Sequence, residues 1–394
     1  MTTHATGDAA GTDAAGSPVP SETPEARIRR IPEPRLPAGL DTPCLVVDLD
    51  VVEANLRRMA GAIAARGSLL RPHVKTHKSV ALARLQLEHG ATGLTVGTLG
   101  EAEVFAEAGF DDLFIAYPLW LSEPKAARLR AILDRIPLRI GVDSVEGVVR
   151  LAAAVRGARH RPALLVEIDS GERRAGVTPE GAAPIARAAR TAGLEVLGVY
   201  THGGHAYADP SIVERAAADE QRLLAEARDA FRAEGFEAAV VSAGSTPTAI
   251  ASAGGAVTEE RPGTYIVNDR QQVGLRGAPP DGVALVVAAT VVSTAVPGQV
   301  VIDAGGKTLA KDRPAWAEGF GFLPAYPEAV LVRTYDYHGV VVIPPGTPAP
   351  ALGEVVAVVP NHACPVLNLA DAFVVARGGR ALGRWPVDAR GRSS

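Results

Sequence analysis

Lys75 stands in the run Leu70-Arg71-Pro72-His73-Val74-Lys75-Thr76-His77-Lys78, at the end of an apolar stretch and ringed by cationic and imidazole groups. An amine attacks a carbonyl only when neutral. Desolvation at a strand end and neighbouring positive charge both lower a lysine's pKa toward working pH, the environment of a Schiff-base lysine. Strand alternation places Arg71, His73 and Lys75 on one face and leaves Lys78 beyond the strand, as the weaker candidate. Taken alone, the same run also reads as a basic surface loop.

The elements around it decide between these readings. From residue 68 the chain repeats a short apolar run followed by a helical stretch. The runs are Ser68–Lys75, Gly93–Gly97, Asp112–Tyr117, Arg139–Asp143, Ala163–Asp169, Glu195–His202, Ala238–Ser245 and Ala256–Arg261. Helical stretches such as Val145–Val155, Pro179–Ala192 and Val213–Glu234 lie between them, opening on cap and first-turn signals such as Ser144 and Thr178-Pro179. Such units, right-handed by the crossover rule, predict an α/β chain with a TIM-type (β/α)8 barrel, a doubly wound open sheet being the alternative. After about residue 270 the pattern turns to Val-rich runs cut by Gly and Pro, which predicts an antiparallel β domain. The expected organisation is a disordered tail at 1–40, the barrel at 41–270, the β domain at 271–385 and a flexible tail at 386–394. Residues 41–50 are open to membership of the β domain.

Composition narrows the partners. Of 394 residues 47% are hydrophobic, and 40 basic against 44 acidic residues leave a net charge of −4. No basic stripe argues for nucleic acid, and no apolar run is long enough to span a membrane, so a small molecule is the expected partner. Two cysteines far apart, Cys44 and Cys364, fit a reducing, cytoplasmic compartment.

In a barrel, chemistry collects at strand C-termini and the loops that follow. The last two runs end in Gly244-Ser245-Thr246 and Arg261-Pro262-Gly263-Thr264-Tyr265. Small residues there expose backbone N–H groups, the usual barrel solution for a phosphate. A lysine electrophile trap and a phosphate cup in one barrel point to pyridoxal 5'-phosphate.

The segments Arg71–Lys78, Glu167-Ile168-Asp169-Ser170-Gly171, Arg261–Tyr265 and Pro360-Asn361-His362-Ala363-Cys364-Pro365 resemble the D-serine dehydratase and D-threonine aldolase family of fold-type III pyridoxal-phosphate enzymes, relatives of alanine racemase. The resemblance implies that Lys75 bonds the cofactor and that Arg174 approaches its phenolic oxygen. It further implies that Tyr200, His202 and Tyr207 line cofactor and substrate. Gly244, Ser245, Thr246 and Gly263 would hold the phosphate, with Tyr265 as a ring or phosphate contact. A homodimer is implied as well.

His362 and Cys364, one residue apart on what reads as an extended chain, share a face, and imidazole plus thiolate suits Zn²⁺. Read alone, the pair is better taken as a buried Cys beside a surface His. The resemblance makes it a metal site, whose aldolase branch tends to show His-x-Asp, a harder site for Mn²⁺ or Mg²⁺. The expected activity is therefore zinc-assisted β-elimination from a D-3-hydroxy amino acid such as D-serine. Retro-aldol cleavage, as in D-threonine aldolase, is the first alternative, and a non-catalytic pyridoxal-phosphate carrier the second.

Overall fold

The computed structural model describes residues 22–394. All eight expected apolar runs coincide, within a residue at β5, with parallel strands of one sheet: β2 (Leu69–Leu70), β3 (Leu94–Val96), β4 (Leu113–Ile115), β5 (Leu138–Val142), β6 (Ala163–Glu167), β7 (Glu195–Tyr200), β8 (Val240–Ala243) and β9 (Glu259–Glu260). They follow one another in the order β2-β9-β8-β7-β6-β5-β4-β3. The ring closes just past β2, where His73 bridges to Thr95, Val74 N–H donates to the Thr95 carbonyl at 2.9 Å and Thr95 N–H donates to that of Pro72 at 2.8 Å. The doubly wound alternative is thereby excluded. β2 is short because Pro72 has no N–H to extend its ladder, so Lys75 lies in a turn beyond the strand rather than on it. Helices cover the outside. Ser144 Oγ caps Val145–Ala154 by accepting from Gly147 N–H at 3.2 Å, and Thr98 caps Leu99–Glu107 at Glu101 N–H, 3.1 Å away.

The second sheet is built from β10 (Leu285–Ser293), β11 (Gln299–Ile302), β12 (Gly321–Phe322), β13 (Val330–Thr334), β14 (Gly339–Val342), β15 (Val355–Pro360), β16 (Ala372–Arg377) and β17 (Arg380–Pro386). It also contains β1 (Cys44–Asp48), antiparallel to β10 and parallel to β16. The chain thus begins a strand in the β domain before it enters the barrel. The helix Leu49–Ala64 carries it across, started by Asp48, whose carboxylate accepts from Asp50 N–H at 2.9 Å. Its buried face, with Val52, Leu56, Met59 and Ile63, belongs to the same apolar core as β10 and β15. A separate core fills the space between barrel and outer helices.

Both termini depart from expectation. Residues 1–21 of the expected tail lie outside the described residues, but 24–28 form a helix, and Ile28 and Ile31 are buried against Val273, Val286 and Phe322. Arg27 fixes this segment by donating to the carbonyls of Val273 and Ala278, both at 3.2 Å. Isolated apolar residues among prolines show no period, which is why the sequence reads as a tail. The C-terminal segment docks as well. Val387 and Ala389 are buried, Ala389 N–H donates to the Lys78 carbonyl at 2.9 Å, and Gly100 N–H donates to that of Ser394 at 2.9 Å. This clamps the far end of the turn that carries Lys75. Removing residues 387–394 exposes the barrel surface under these two side chains and costs about 2 kcal/mol or more. A thermal melt of the truncated protein should show a lowered Tm, and an unchanged Tm would show that the clamp contributes nothing.

Candidate active site

A cavity of about 290 Å³ opens between the barrel mouth and the β domain. From the barrel it is lined by His73, Lys75, Thr76, His202, Tyr207, Ser245, Thr246, Arg261, Gly263, Thr264 and Gln271, and from the β domain by His362 and Cys364. Eight of the twelve sequence-predicted site residues therefore meet in one place: Lys75, His202, Tyr207, Ser245, Thr246, Gly263, His362 and Cys364.

Lys75 is exposed in this cavity, not desolvated as the sequence reading expected. Lys78 is engaged elsewhere: its ammonium donates to Asn368 Oδ1 at 2.8 Å and pairs with Glu101 at 3.4 Å in a buried setting. The three barrel imidazoles, His73, His77 and His202, favour the neutral form. Burial, with Lys75 and Arg261 adding to it, drives His73 and His202 well below the ordinary histidine value. Burial likewise takes His77 down to about 4, its Nδ1 accepting from Ser79 N–H at 3.1 Å.

Arg261 is the site residue that the sequence reading left without a role. Its guanidinium is buried, donates to Ser242 Oγ at 2.7 Å and to the Thr201 carbonyl, and lies 5.2 Å from the centroid of the Tyr200 ring. Ser242 in turn donates to Glu259, which pairs with Arg71 at 2.7 Å and Arg139 at 3.2 Å. An arginine one residue past Glu259-Glu260, before Pro262-Gly263, was the available signal. A cation directed into a barrel mouth needs buried counter-charges behind it.

Four predicted residues stand outside the cavity lining. Tyr200 is buried, donates to Glu167 Oε2 at 2.8 Å and packs edge-on against Phe114, so it is part of the barrel filling. Tyr265 is also buried, its hydroxyl accepting from Gln86 at 3.3 Å. Arg174 is 57% exposed and paired with Glu172 at 3.2 Å on the rim. Gly244 lies behind the cup with φ +93°, and a Cβ there would come within 1.9 Å of Glu260 Oε2. Gly263 is constrained differently, because a Cβ would meet the His73 carbonyl at 2.9 Å and Thr76 Oγ1 at 3.1 Å. Both glycines are needed for the packing of the cup itself, not only for close approach of an anion.

The His-x-Cys pair is not on an extended chain. β15 ends at Pro360, His362 is the N-cap, and Cys364 is already in the helix Ala363–Leu369. The two side chains nevertheless line the same cavity. Burial alone would raise the Cys364 thiol, but the neighbouring His362 brings it below the ordinary thiol value. Burial disfavours the His362 imidazolium, yet Cys364, Asp269 and Asp312 hold its pKa up to about 10. Asp312 Oδ2 takes His362 Nδ1–H at 2.6 Å, leaving Nε2 as the available ligand nitrogen. Cys364 Sγ lies 3.2 Å from Thr76 Oγ1, next to Lys75. Among the described residues no group of three or more His, Cys, Asp or Glu could hold an ion. This pair therefore offers two protein donors, an oriented imidazole and an acidified thiol, which fit a soft ion whose other positions stay open.

The segment is set by Asp269, buried just after the barrel. One oxygen caps the helix Arg270–Gly274 at Gln272 N–H, 2.9 Å away, and the other takes Ala363 N–H at 2.8 Å, between the two candidate ligands.

Residues 47–271 match the family model "Alanine racemase, N-terminal domain", and residues 284–376 match the "Putative serine dehydratase domain". D-threo-3-hydroxyaspartate dehydratase of Delftia sp. (strain HT23) is 35% identical over 82% of this chain and 91% of that protein. The crystal structure of D-threonine aldolase from Filomicrobium marinum aligns with a TM-score of 0.82 and 32% identity, over 90% of this chain and 97% of the other. A cysteine-to-alanine variant of D-threo-3-hydroxyaspartate dehydratase in the metal-free form aligns at 0.80 and 32%, over 88% and 98%. The chain belongs to the D-serine dehydratase and D-threonine aldolase family of fold-type III, alanine racemase-like pyridoxal-phosphate enzymes, and is a pyridoxal-phosphate-dependent lyase.

Proposed function

We propose that the protein catalyses metal-assisted β-elimination from a D-3-hydroxy amino acid, D-serine being the simplest, to a 2-oxo acid and ammonia. The observation that carries this reading is the meeting of Lys75 with His362 and Cys364 in one cavity, with Thr76 touching the cysteine. Pyridoxal phosphate, when bound, supplies the electron sink for the charge left by removal of the α-proton. Lys75 Nζ is the group that bonds the cofactor and takes that proton, because Lys78 is committed to Asn368 and Glu101. Ser245, Thr246 and Gly263 receive the phosphate, with Gly244 and Tyr265 shaping the cup from behind. Neutral His202 and His73 would offer flat, uncharged walls to the cofactor, and Tyr207 lines the same cavity, where it would meet cofactor or substrate. Arg174 stands on the rim, paired with Glu172, and Tyr200 packs beneath Arg261, so both would support the residues that hold the cofactor.

His362 and Cys364 would hold a Zn²⁺ whose Lewis acidity assists departure of hydroxide, a poor leaving group near neutral pH. The metal-free form of a related dehydratase carrying a cysteine-to-alanine change supports a metal held by cysteine. The softness of a thiolate favours zinc over Mn²⁺ or Mg²⁺. Retro-aldol cleavage to glycine and an aldehyde is the second reading, favoured by the likeness to D-threonine aldolase. A thiolate in place of a carboxylate ligand separates the two. The family also implies a homodimer, and the low cysteine count fits a cytoplasmic location.

Two outcomes follow. Lys75→Ala should lose both the visible band of the lysine-bound cofactor and turnover, and borohydride reduction with peptide mapping should find the pyridoxyl group on Lys75. Recovery of that group on Lys78 would overturn the assignment. Chelation, and Cys364→Ala, should stop elimination from D-serine while leaving the band intact and β-chloro-D-alanine still a substrate, since chloride departs without a Lewis acid. Undiminished D-serine turnover in metal-free protein would remove the metal from the mechanism.

A further inference from the structure

Two carboxylates without an assigned role lie behind the phosphate cup. Glu220, on the helix Val213–Ala233, is fully buried, and its Oε1 accepts both Gly203 N–H at 2.8 Å and Gly244 N–H at 3.0 Å. Gly203 follows His202, and Gly244 precedes Ser245. One carboxylate oxygen therefore ties together the loop bearing the cavity-lining His202 and the loop bearing the proposed phosphate cup. Glu260, on β9, is also fully buried and reaches the same place from the opposite side. Its Oε1 accepts from Ser252 Oγ at 3.0 Å, while its Oε2 lies against Gly244 and has no hydrogen-bond partner; Glu220 Oε2 has none either.

Two ionised carboxylates flanking a glycine next to a phosphate dianion would repel it and each other. The two differ in what would stabilise a charge on them. We propose that Glu220 is the ionised clamp that positions both cofactor loops and that Glu260 stays a neutral carboxylic acid behind Gly244, so that the phosphate meets one buried negative charge there rather than two. Glu220 has two N–H donors on its charged oxygen, with the Thr248 hydroxyl nearby, whereas Glu260 has a single hydroxyl. Burial raises both groups, and the Glu220 charge raises Glu260 further, well above the ordinary carboxylate value. The charged groups around the pair are few. Arg261 on the β9 side favours ionisation of both, Glu259 opposes that of Glu260 but is paired with Arg71 and Arg139, and His202 beyond β7 is neutral. The short helix Ala249–Ser252 and its cap contribute only the hydroxyls of Ser252 and Thr248.

The inference rests on the phosphate lying at Ser245, Thr246 and Gly263. The test titrates apoprotein with pyridoxal phosphate and with pyridoxal from about pH 7.5 upward, where the phosphate is already dianionic. The ratio of the two affinities isolates the phosphate from the chemistry at Lys75. Ser245→Ala checks the placement: it should weaken pyridoxal phosphate and not pyridoxal, and equal effects on both would mean that the phosphate lies elsewhere. Given that placement, wild-type protein should lose its preference for the phosphorylated form as rising pH ionises Glu260. Glu260→Gln, an isostere of the neutral acid, should match wild type within about twofold at the lower pH and keep its preference at the higher. Glu220→Ala should weaken pyridoxal phosphate binding by about tenfold or more, as expected for two buried N–H groups left without an acceptor, and Glu220→Gln should recover most of it. A pH-independent preference in wild type, or a Glu260→Gln protein that declines with pH as wild type does, would overturn the proposal. The Glu260→Gln arm decides this whether or not Glu220→Ala folds.

Discussion

The chemistry depends on one buried carboxylate holding two domains in register. Asp269 is the last acid of the barrel half, and its two oxygens cap two helices from different parts of the chain: Arg270–Gly274, and Ala363–Leu369 through Ala363 N–H. Because Ala363 lies between His362 and Cys364, this bond sets where the two donors stand relative to Lys75. Burial raises Asp269 while His362 and the backbone N–H groups pull the other way, so its role as acceptor depends on those partners staying in place. The same neighbourhood is braced from the N-terminal helix, where Glu25 pairs with Arg270 at 3.3 Å and Arg270 donates to Asn361 at 3.2 Å.

The barrel side is organised by charge rather than by shape alone. A chain of buried ion pairs and hydroxyls, Asp112 to Arg71 to Glu259 to Ser242 to Arg261, runs through the barrel interior to the cavity. It balances the guanidinium at the mouth, while His73, His77 and His202 are held neutral by burial. The positive character of the cavity therefore comes from Arg261, Lys75 and His362, not from the imidazoles that make the Lys75 run look so basic in sequence.

Much of this was legible in the sequence. The eight apolar runs coincide with the eight barrel strands because buried parallel strands are continuous apolar stretches, and Val213–Glu234 is a helix within one residue of its reading. Lys75 was legible because it ends the first run, although Pro72 cuts the strand short and leaves the lysine in an exposed turn. The strand-to-helix change at His362 was not legible: Ala363-Cys364-Pro365 carries no helix signal, and the helix is held by Asp269, far away in the chain. Tyr200 and Tyr265 were misplaced for a related reason. A tyrosine at a strand end can face the mouth or the filling, and only the tertiary partners Glu167 and Gln86 fix which. The N-terminal segment was read as disordered because Ile28 and Ile31 have no period of their own and find their core in β10 and β12.

The central claim is that a barrel lysine and a β-domain His-Cys pair act on the same substrate, and that the thiolate-held metal directs the reaction to loss of hydroxide. Product analysis of metal-replete holoenzyme with D-serine, D-threonine and D-threo-3-hydroxyaspartate tests it most directly. The account predicts a 2-oxo acid and ammonia from at least one of the three, with no glycine. Glycine and an aldehyde as the products would contradict it and make the protein an aldolase.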